Sequence, residues 1–171
     1  MASGLSNKLV GQTGEYLVCA ELGRRGLIAT TFTGNVPEYD LLVCDDSLRT
    51  VPIQVKTSRS DSWQSRADEW LDIEIDEAEK LQVNKGRKER KHPDLSYVCV
   101  QLGAEQGTDR FFICQKRDIQ DACVLAYTRW MDTIGWKRPK NYKSLDNRYY
   151  VSDLLRFEGN WRLIDDLLKR Q

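Results

Sequence analysis

The sequence has little histidine: His92 is the only one in 171 residues, and it stands beside Pro93 in a run typical of a loop. Catalytic triads, histidine general bases and histidine-containing zinc sites therefore have no support. The cysteines number five, an odd count, show no C-x-x-C spacing and lie mostly inside apolar runs. We expect them to be buried, reduced thiols and not a disulfide framework.

Long hydrophobic runs are also missing. No apolar stretch approaches the length of a membrane span, and the first residues contain no apolar core of a signal peptide. These absences predict a cytoplasmic protein with no membrane partner. Without repeats or low-complexity segments, 171 residues that are 40% hydrophobic and 30% charged predict one domain. We place its core at about 6–115 and a C-terminal helical extension at about 116–171.

A charge excess of either sign is lacking too, since 26 basic residues balance 26 acidic ones. This balance argues against a protein held to nucleic acid by overall basicity, although a neutral chain can still carry a basic groove. Residues 85–91 and 137–143 are basic, whereas residues 68–79 are strongly acidic and follow Trp63. The basic runs are either solvated faces or part of a nucleic-acid interface, with Lys85, Arg87, Lys88, Lys137 and Arg138 as candidate contacts.

The first segment predicts a helix over about Ser6 to Arg25 that is covered on both sides. Apolar residues recur at helical spacing on one face, and a second stripe of Val18, Cys19 and Leu22 contains the carboxylate of Glu15. An ionised acid in such a stripe is costly unless a cation compensates it. Glu15 is therefore a candidate functional residue, or it lies at the edge of the stripe and reaches water.

Three strands are predicted next, at Leu27 to Phe32, Asp40 to Cys44 and Val51 to Lys56. If the last two pair antiparallel, with Leu41 facing Ile53, Asp40 falls opposite Gln54. Alternation then places Gln54 and Lys56 on the face away from the buried valines, and a slip of one residue would bury both. The pattern therefore brings an acid, an amide and an ammonium group together.

The remaining elements are predicted more coarsely. Asp76 to Lys85 is typical of an amphipathic helix with an N-cap at Asp76, and two strands at 97–102 and 110–114 form a hairpin. Helical patterns cover 119–131 and 154–168, and they flank a polar loop around 137–149.

The polar cluster has the chemistry of a metal site. Carboxylate and amide oxygens from Glu15, Asp40 and Gln54 are hard ligands suited to Mg²⁺ or Mn²⁺. A neighbouring ammonium group, Lys56, could orient or help deprotonate an attacking water while the metal stabilises charge on phosphoryl oxygens. This combination favours phosphodiester hydrolysis.

At this point the sequence resembles a known family. Gly14-Glu15 in a first helix, Asp40 opening a strand and Gln54-Val55-Lys56-Thr57 in the next strand are similar to the PD-(D/E)XK nuclease superfamily, especially its resolvase-like and QxK-bearing branches. The resemblance covers about residues 9–102. It implies an α/β fold in which a central mixed, mostly antiparallel sheet of about five strands is flanked by helices, as in restriction endonucleases.

The resemblance also implies roles for the site residues. Asp40 would be the central metal ligand, Glu15 a ligand or water-mediated partner from the helix, and the Val55 carbonyl a backbone ligand. Lys56 would be the catalytic lysine. Gln54 stands where the family usually has a second acid, so the metal would be held more weakly. The motif around Asp40 is loosened to Pro37-Glu38-Tyr39-Asp40, which leaves Glu38 as an alternative ligand; we favour Asp40 because its strand is better defined.

Further DNA contacts are predicted near this cluster. Thr57 and Ser58 could bind a phosphate or simply form a turn, and Arg24 and Arg25 could bind phosphates or interact with the helix dipole. The sequence thus predicts a Mg²⁺- or Mn²⁺-dependent DNA endonuclease acting on double-stranded or branched DNA, as a homodimer. The alternative is a non-catalytic nucleic-acid-binding module, or a protein-interaction module that uses the segment around Trp63 to Trp70.

Overall fold

The computed structural model describes residues 6–32 and 36–170, and in these ranges the chain forms nine strands and four α-helices. The helices are α1 (Asn7–Arg24), α2 (Lys116–Thr133), α3 (Val151–Leu154) and α4 (Arg162–Leu168). The strands are β1 (Ile28–Thr31), β2 (Leu41–Cys44), β3 (Thr50–Ser58), β4 (Ser62–Arg66), β5 (Leu71–Asp76), β6 (Leu81–Arg87), β7 (Ser96–Gln101), β8 (Arg110–Gln115) and β9 (Asp146–Tyr150).

Five strands form the central sheet in the order β1-β2-β3-β7-β8. All neighbours are antiparallel except β3 and β7, which are parallel. Leu41 pairs with Ile53 and Val43 with Val51, which is the predicted register. The predicted α/β class, with a mixed and mostly antiparallel sheet flanked by helices, is therefore confirmed.

The two faces of the sheet bury different clusters. On one face Val18 and Leu22 of α1, together with Ile164 and Leu168 of α4, pack against the apolar side chains of β2 and β3. On the other face α2 and the ribbon of β4 and β9 cover Cys99, Phe112 and Cys114. Gln54 and Lys56 project toward this second face, where the ribbon leaves the end of β3 exposed.

The predicted helix at Asp76 to Lys85 is wrong, because this region is the hairpin of β5 and β6. The Asp76 carboxylate caps the turn, where it accepts hydrogen bonds from the amides of Ala78 and Glu79, both at 2.9 Å. Ile73 packs against Tyr127 and Met131 of α2. Alternating branched side chains suit a half-buried strand, and this alternation prevails over the helical spacing of the charges.

The C-terminal third also differs from the prediction. The expected loop at 137–149 contains most of β9, and the helical pattern at 154–168 is broken between a 3₁₀ turn at Leu155–Phe157 and the start of α4. The break occurs where Glu158 forms a bridge to Phe112 and the Gly159 amide donates to the Phe111 carbonyl at 2.8 Å. Gly159 has φ +64°, a value that glycine adopts without strain.

Several smaller expectations are also settled by the described residues. All five cysteines are free thiols; Cys99, Cys114 and Cys123 are buried, and the other two are half-buried. Trp63 and Trp70 are only 3% and 5% exposed, so these two rings belong to the core, and a partner role of the segment between them stays a prediction. Across residues 6–32 and 36–170, no helix has both the length and the apolar character that a bilayer span needs.

Candidate active site

Asp40 immediately precedes β2 and lies beside the part of β3 that extends past the end of β2. The Asp40 amide donates to the Ile53 carbonyl at 2.9 Å, which continues the ladder by one residue. Its carboxylate oxygen Oδ2 accepts hydrogen bonds from the Val55 amide at 2.8 Å and from the Gln54 side-chain nitrogen. A strand residue points its N–H and C=O to the same side of the strand, so the Val55 carbonyl faces the same place as the Val55 amide. We call this place, where Glu15, Asp40, Gln54 and Lys56 meet, the corner.

Glu15 enters the same corner from α1. Burial raises the pKa of Glu15, and the negative charge of Asp40 raises it further. Burial also raises the pKa of Asp40, against the opposing effects of the Val55 hydrogen bond and the positive charge of Lys56. The two carboxylates therefore repel each other in a half-buried place, and a cation between them would relieve that repulsion.

The close packing of α1 on β3 determines where Glu15 stands. A Cβ atom at Gly14 would lie 1.9 Å from Oγ1 of Thr57, so only glycine permits this approach. Thr57 directly follows Lys56, and Glu15 directly follows Gly14. The glycine thus brings the helix-borne acid to the strand that carries the amide and the lysine.

Lys56 projects from β3 into solvent on the polar face. Its side chain has no hydrogen bond or ion pair within the described part of the chain, whereas its carbonyl accepts a hydrogen bond from the Trp63 indole at 3.0 Å. Trp63 is itself buried, and it stacks on Tyr149 at a centroid distance of 5.5 Å. The backbone at Lys56 is therefore held firmly while its ammonium group stays available.

The donor set suits a hard divalent cation. Two carboxylates, one amide and one backbone carbonyl all offer oxygen, the ligand that Mg²⁺ prefers. As placed, Gln54 turns its nitrogen to Asp40, so a rotation of the amide is required before its oxygen can face the same point. Residues 6–32 and 36–170 contain no group of three or more histidine, cysteine or acidic residues able to hold a metal, so the amide and carbonyl would be essential ligands.

Glu38 does not join this corner. Its carboxylate pairs with the ammonium group of Lys116 at 3.0 Å, and this hydrogen bond lowers the pKa of Glu38. The Lys116 side chain is 5% exposed, so Glu38 serves as counter-ion to a buried cation. Of the two acids in the loosened motif, Asp40 is the one that meets Gln54.

Most predicted nucleic-acid contacts are engaged within the protein. Arg24 and Arg25 both pair with Glu21, at 2.7 and 3.7 Å, and Arg25 also lies over the ring of Trp161. Along α1 they stand nine and ten residues from Glu15, a rise of about 14–15 Å. Their role in DNA binding stays a prediction, but they do not adjoin the corner.

The two basic blocks show the same behaviour. Lys85 pairs with Glu74, Arg87 with Asp121, and Lys88 donates to the Asp68 carbonyl at 2.7 Å. Arg138 lies over Trp130 and donates to the Asp146 carbonyl, whereas Lys137 is exposed. Most of the candidate contacts in the two basic runs are therefore engaged within the protein, as parts of the β5–β6 hairpin or of the loop before β9.

Thr57 and Ser58 differ from each other. Oγ1 of Thr57 is buried against Gly14 without a hydrogen-bond partner, so a phosphate cannot reach it. Ser58 contacts the hydroxyl of Ser60 at 3.1 Å in the turn after β3. Sequence reasoning missed Arg59 and Arg148, which share a cleft with Lys56, because the pairing of β4 with β9 carries no local signal.

The five-stranded mixed sheet flanked by helices gives the chain an α/β fold similar to that of a solved nuclease. No protein-family model matches the chain, and no curated protein matches its sequence. Among solved structures, the chain is similar to a bacterial homing endonuclease, I-Ssp6803I, with a TM-score of 0.53 and 13% identity over 98% of each chain. At this identity the likeness concerns the fold alone; the PD-(D/E)XK assignment stays a prediction.

Proposed function

We propose that this protein is a metal-dependent DNA endonuclease that hydrolyses phosphodiester bonds at the corner formed by Glu15, Asp40, Gln54 and Lys56. One observation carries the proposal: a helix-borne acid, an acid that opens β2 and a free lysine meet at the edge of β3. The structural neighbour is named as an endonuclease, which supports DNA as the substrate.

Each residue has a part in this reaction. Asp40, Glu15, Gln54 and the Val55 carbonyl would hold Mg²⁺ or Mn²⁺, which when bound stabilises negative charge on the phosphoryl oxygens. Lys56 donates a hydrogen bond that orients the attacking water and eases loss of its proton. The water oxygen forms a bond to phosphorus as the phosphorus–oxygen bond to the leaving group breaks; the water gives its proton to solvent, and the leaving oxygen takes a proton from solvent. Because both strands of a duplex must be cut, the protein would act as a homodimer.

The direct experiment compares cleavage by the wild-type chain with cleavage by Asp40→Ala and Lys56→Ala. Supercoiled, linear and branched DNA are incubated with Mg²⁺, Mn²⁺ or EDTA. We expect cleavage only with metal and a loss of about 10²–10⁴-fold in each variant. Asp46→Ala in the β2–β3 turn and Lys169→Ala after α4 are matched controls, since both residues are exposed and lie outside the site and the two basic runs. Undiminished cleavage by both site variants would refute the assignment.

A second candidate is a non-catalytic nucleic-acid-binding module on the same scaffold. The observation that favours it is the Gln54 amide, which already satisfies the Asp40 carboxylate without a metal. Titration calorimetry with Mg²⁺ and Mn²⁺ distinguishes the two. Absence of metal binding together with salt-dependent DNA binding would support this second candidate.

A further inference from the structure

A cleft of about 390 Å³ lies beside Lys56, between the end of β3, the start of α1 and the ribbon of β4 and β9. Three cationic side chains line it: Lys56, Arg59 and Arg148. Serine hydroxyls and the first turn of α1 supply the rest of its polar wall, and none of the described residues that line it is acidic. The N-terminal end of a helix adds partial positive charge to this wall.

The backbone of Arg148 is held by the ribbon of β4 and β9. It lies on β9 directly opposite Gln64 of β4, on the outer face of the ribbon. The inner face at this level is formed by Trp63 and Tyr149, which are buried and stacked at an interplanar angle of 16°. A strand backed by packed aromatic rings fixes the direction in which the arginine side chain leaves the backbone, and from there it lines the cleft.

The cations of the cleft are unpaired. Within residues 6–32 and 36–170, no ion pair or side-chain hydrogen bond engages Lys56, Arg59 or Arg148. Arg66, two residues beyond Gln64 on the same strand face, shows the contrast, because its guanidinium binds both carboxylate oxygens of Asp68 at 3.0 Å. Three uncompensated positive charges around one concave surface attract an anion of matching shape.

We propose that this cleft binds a backbone phosphate of the nucleic acid next to the phosphate that is hydrolysed at the corner of Glu15, Asp40, Gln54 and Lys56, with Arg148 as the principal contact. The planar guanidinium group matches a phosphate through two parallel hydrogen bonds, and Arg59 supplies a second cation from the β3–β4 turn. This inference rests on the proposed function, because Lys56 borders both the cleft and the hydrolytic corner. The cleft thereby sets the direction in which the DNA strand enters the corner.

The test measures the affinity of a labelled DNA duplex in EDTA at several NaCl concentrations, by fluorescence anisotropy. The chains compared are wild type, Arg148→Gln, Arg59→Gln and the control Arg129→Gln, which removes an exposed arginine on α2 that lines no part of the cleft. Loss of one phosphate contact lowers the slope of log Kd against log salt by about 0.9. We expect this change and about a tenfold rise in Kd for Arg148→Gln, a smaller change for Arg59→Gln, and none for the control.

The outcomes separate this inference from the hydrolytic proposal. If wild type cleaves DNA while Arg148→Gln and Arg59→Gln keep its salt slope, the cleft inference is overturned and the endonuclease proposal stands. If wild type cleaves nothing but Arg148→Gln still loses slope, the cleft stands and hydrolysis fails. Failure of wild type to bind DNA at any salt concentration overturns both. Should Arg148→Gln unfold, an unchanged slope in Arg59→Gln alone is sufficient to overturn the inference.

Discussion

Gly14 and Thr57 pack so closely that a single added methyl group would collide with the strand carrying the site. A Cβ atom added at position 14 would lie 1.9 Å from Oγ1 of Thr57 and 2.9 Å from both its Cβ and its Cγ2. A branched side chain on a central strand cannot move aside freely. The contact therefore fixes the distance between α1 and β3, and with it the place of Glu15.

Gly14→Ala is expected to lower the free energy of unfolding by about 1–3 kcal/mol, the usual cost of overpacking a tight contact. It should also reduce cleavage, because the helix must move away and take Glu15 with it. Chemical denaturation and the DNA cleavage assay measure the two effects.

Gly11→Ala is the matched control for this prediction. It lies on the same helix, and beyond its chain neighbours and the nearby helix backbone no atom is within 4 Å of its added Cβ, so it should stabilise the protein by up to about 1 kcal/mol. Equal effects of the two substitutions would show that helix propensity, and not the contact with Thr57, decides the outcome.

Gln54→Glu tests the metal site from the opposite direction, by adding an acid. In EDTA the new carboxylate replaces a hydrogen-bond donor that faces Asp40, so we expect a lower Tm than in wild type. With Mn²⁺ present the added charge should bind the cation more tightly, and the rise in Tm on metal addition should exceed that of wild type.

Gln101→Glu provides the comparison, since it adds the same charge at the end of β7 beside Arg110. Its Tm should respond to Mn²⁺ no more than the Tm of wild type does. A Gln54→Glu chain that responds no more than this control would indicate that Gln54 does not face a metal.

The corner could be predicted from the sequence because its signals are local. Alternation of Leu41 and Val43 against Val51 and Ile53 excludes a slip of one residue, and the observed register places Asp40 next to Gln54. Glu15 stands out as a charge within an apolar stripe. That α1 brings Glu15 to Asp40 does not follow from these local signals, and only the family resemblance implies it.

The ribbon and the cleft could not be predicted in this way. β4 and β9 pair across a long stretch of chain, and their residues are polar enough to resemble loops when each is considered alone. Trp63 and Tyr149 acquire their meaning only when they stack. Arg148 is visible as a candidate contact only after that pairing places it beside Lys56.

The hairpin of β5 and β6 stands where the sequence predicted a helix, and it depends on the buried polar side chain of Gln82, which is 1% exposed. Its amide nitrogen donates to the carbonyls of Tyr142 and Ser144, at 2.7 and 2.9 Å, and its oxygen accepts from the Tyr127 hydroxyl. Gln82→Leu leaves these partners unsatisfied, so we expect a loss of about 2–4 kcal/mol in the free energy of unfolding.

A double-mutant cycle with Tyr127→Phe isolates the buried contact. On its own Tyr127→Phe should lower the free energy of unfolding by about 1 kcal/mol. In the Gln82→Leu background it should not lower this free energy, because it then removes a hydroxyl that has lost its partner. Additive effects of the two substitutions would contradict the hydrogen bond between them.

The ion pair of Arg110 and Glu158 predicts a pH dependence of stability at the break before α4. Two parallel hydrogen bonds of 2.7 Å join the side chains, and the hydrogen bond from Arg110 is the largest effect that lowers the pKa of Glu158. A carboxyl group whose pKa is lower in the folded than in the unfolded chain stabilises the fold above the unfolded pKa. This contribution is lost as pH falls through the folded pKa.

Glu158→Gln tests this dependence. Because both groups are more than a third exposed, the substitution should lower the free energy of unfolding by no more than about 1 kcal/mol at pH 7. The difference from wild type should vanish in acid, as measured by urea unfolding across pH, whereas Glu105→Gln, on an exposed turn, should follow wild type throughout. A deficit of Glu158→Gln that persists in acid would show that packing, and not charge, holds the Glu158 segment to β8.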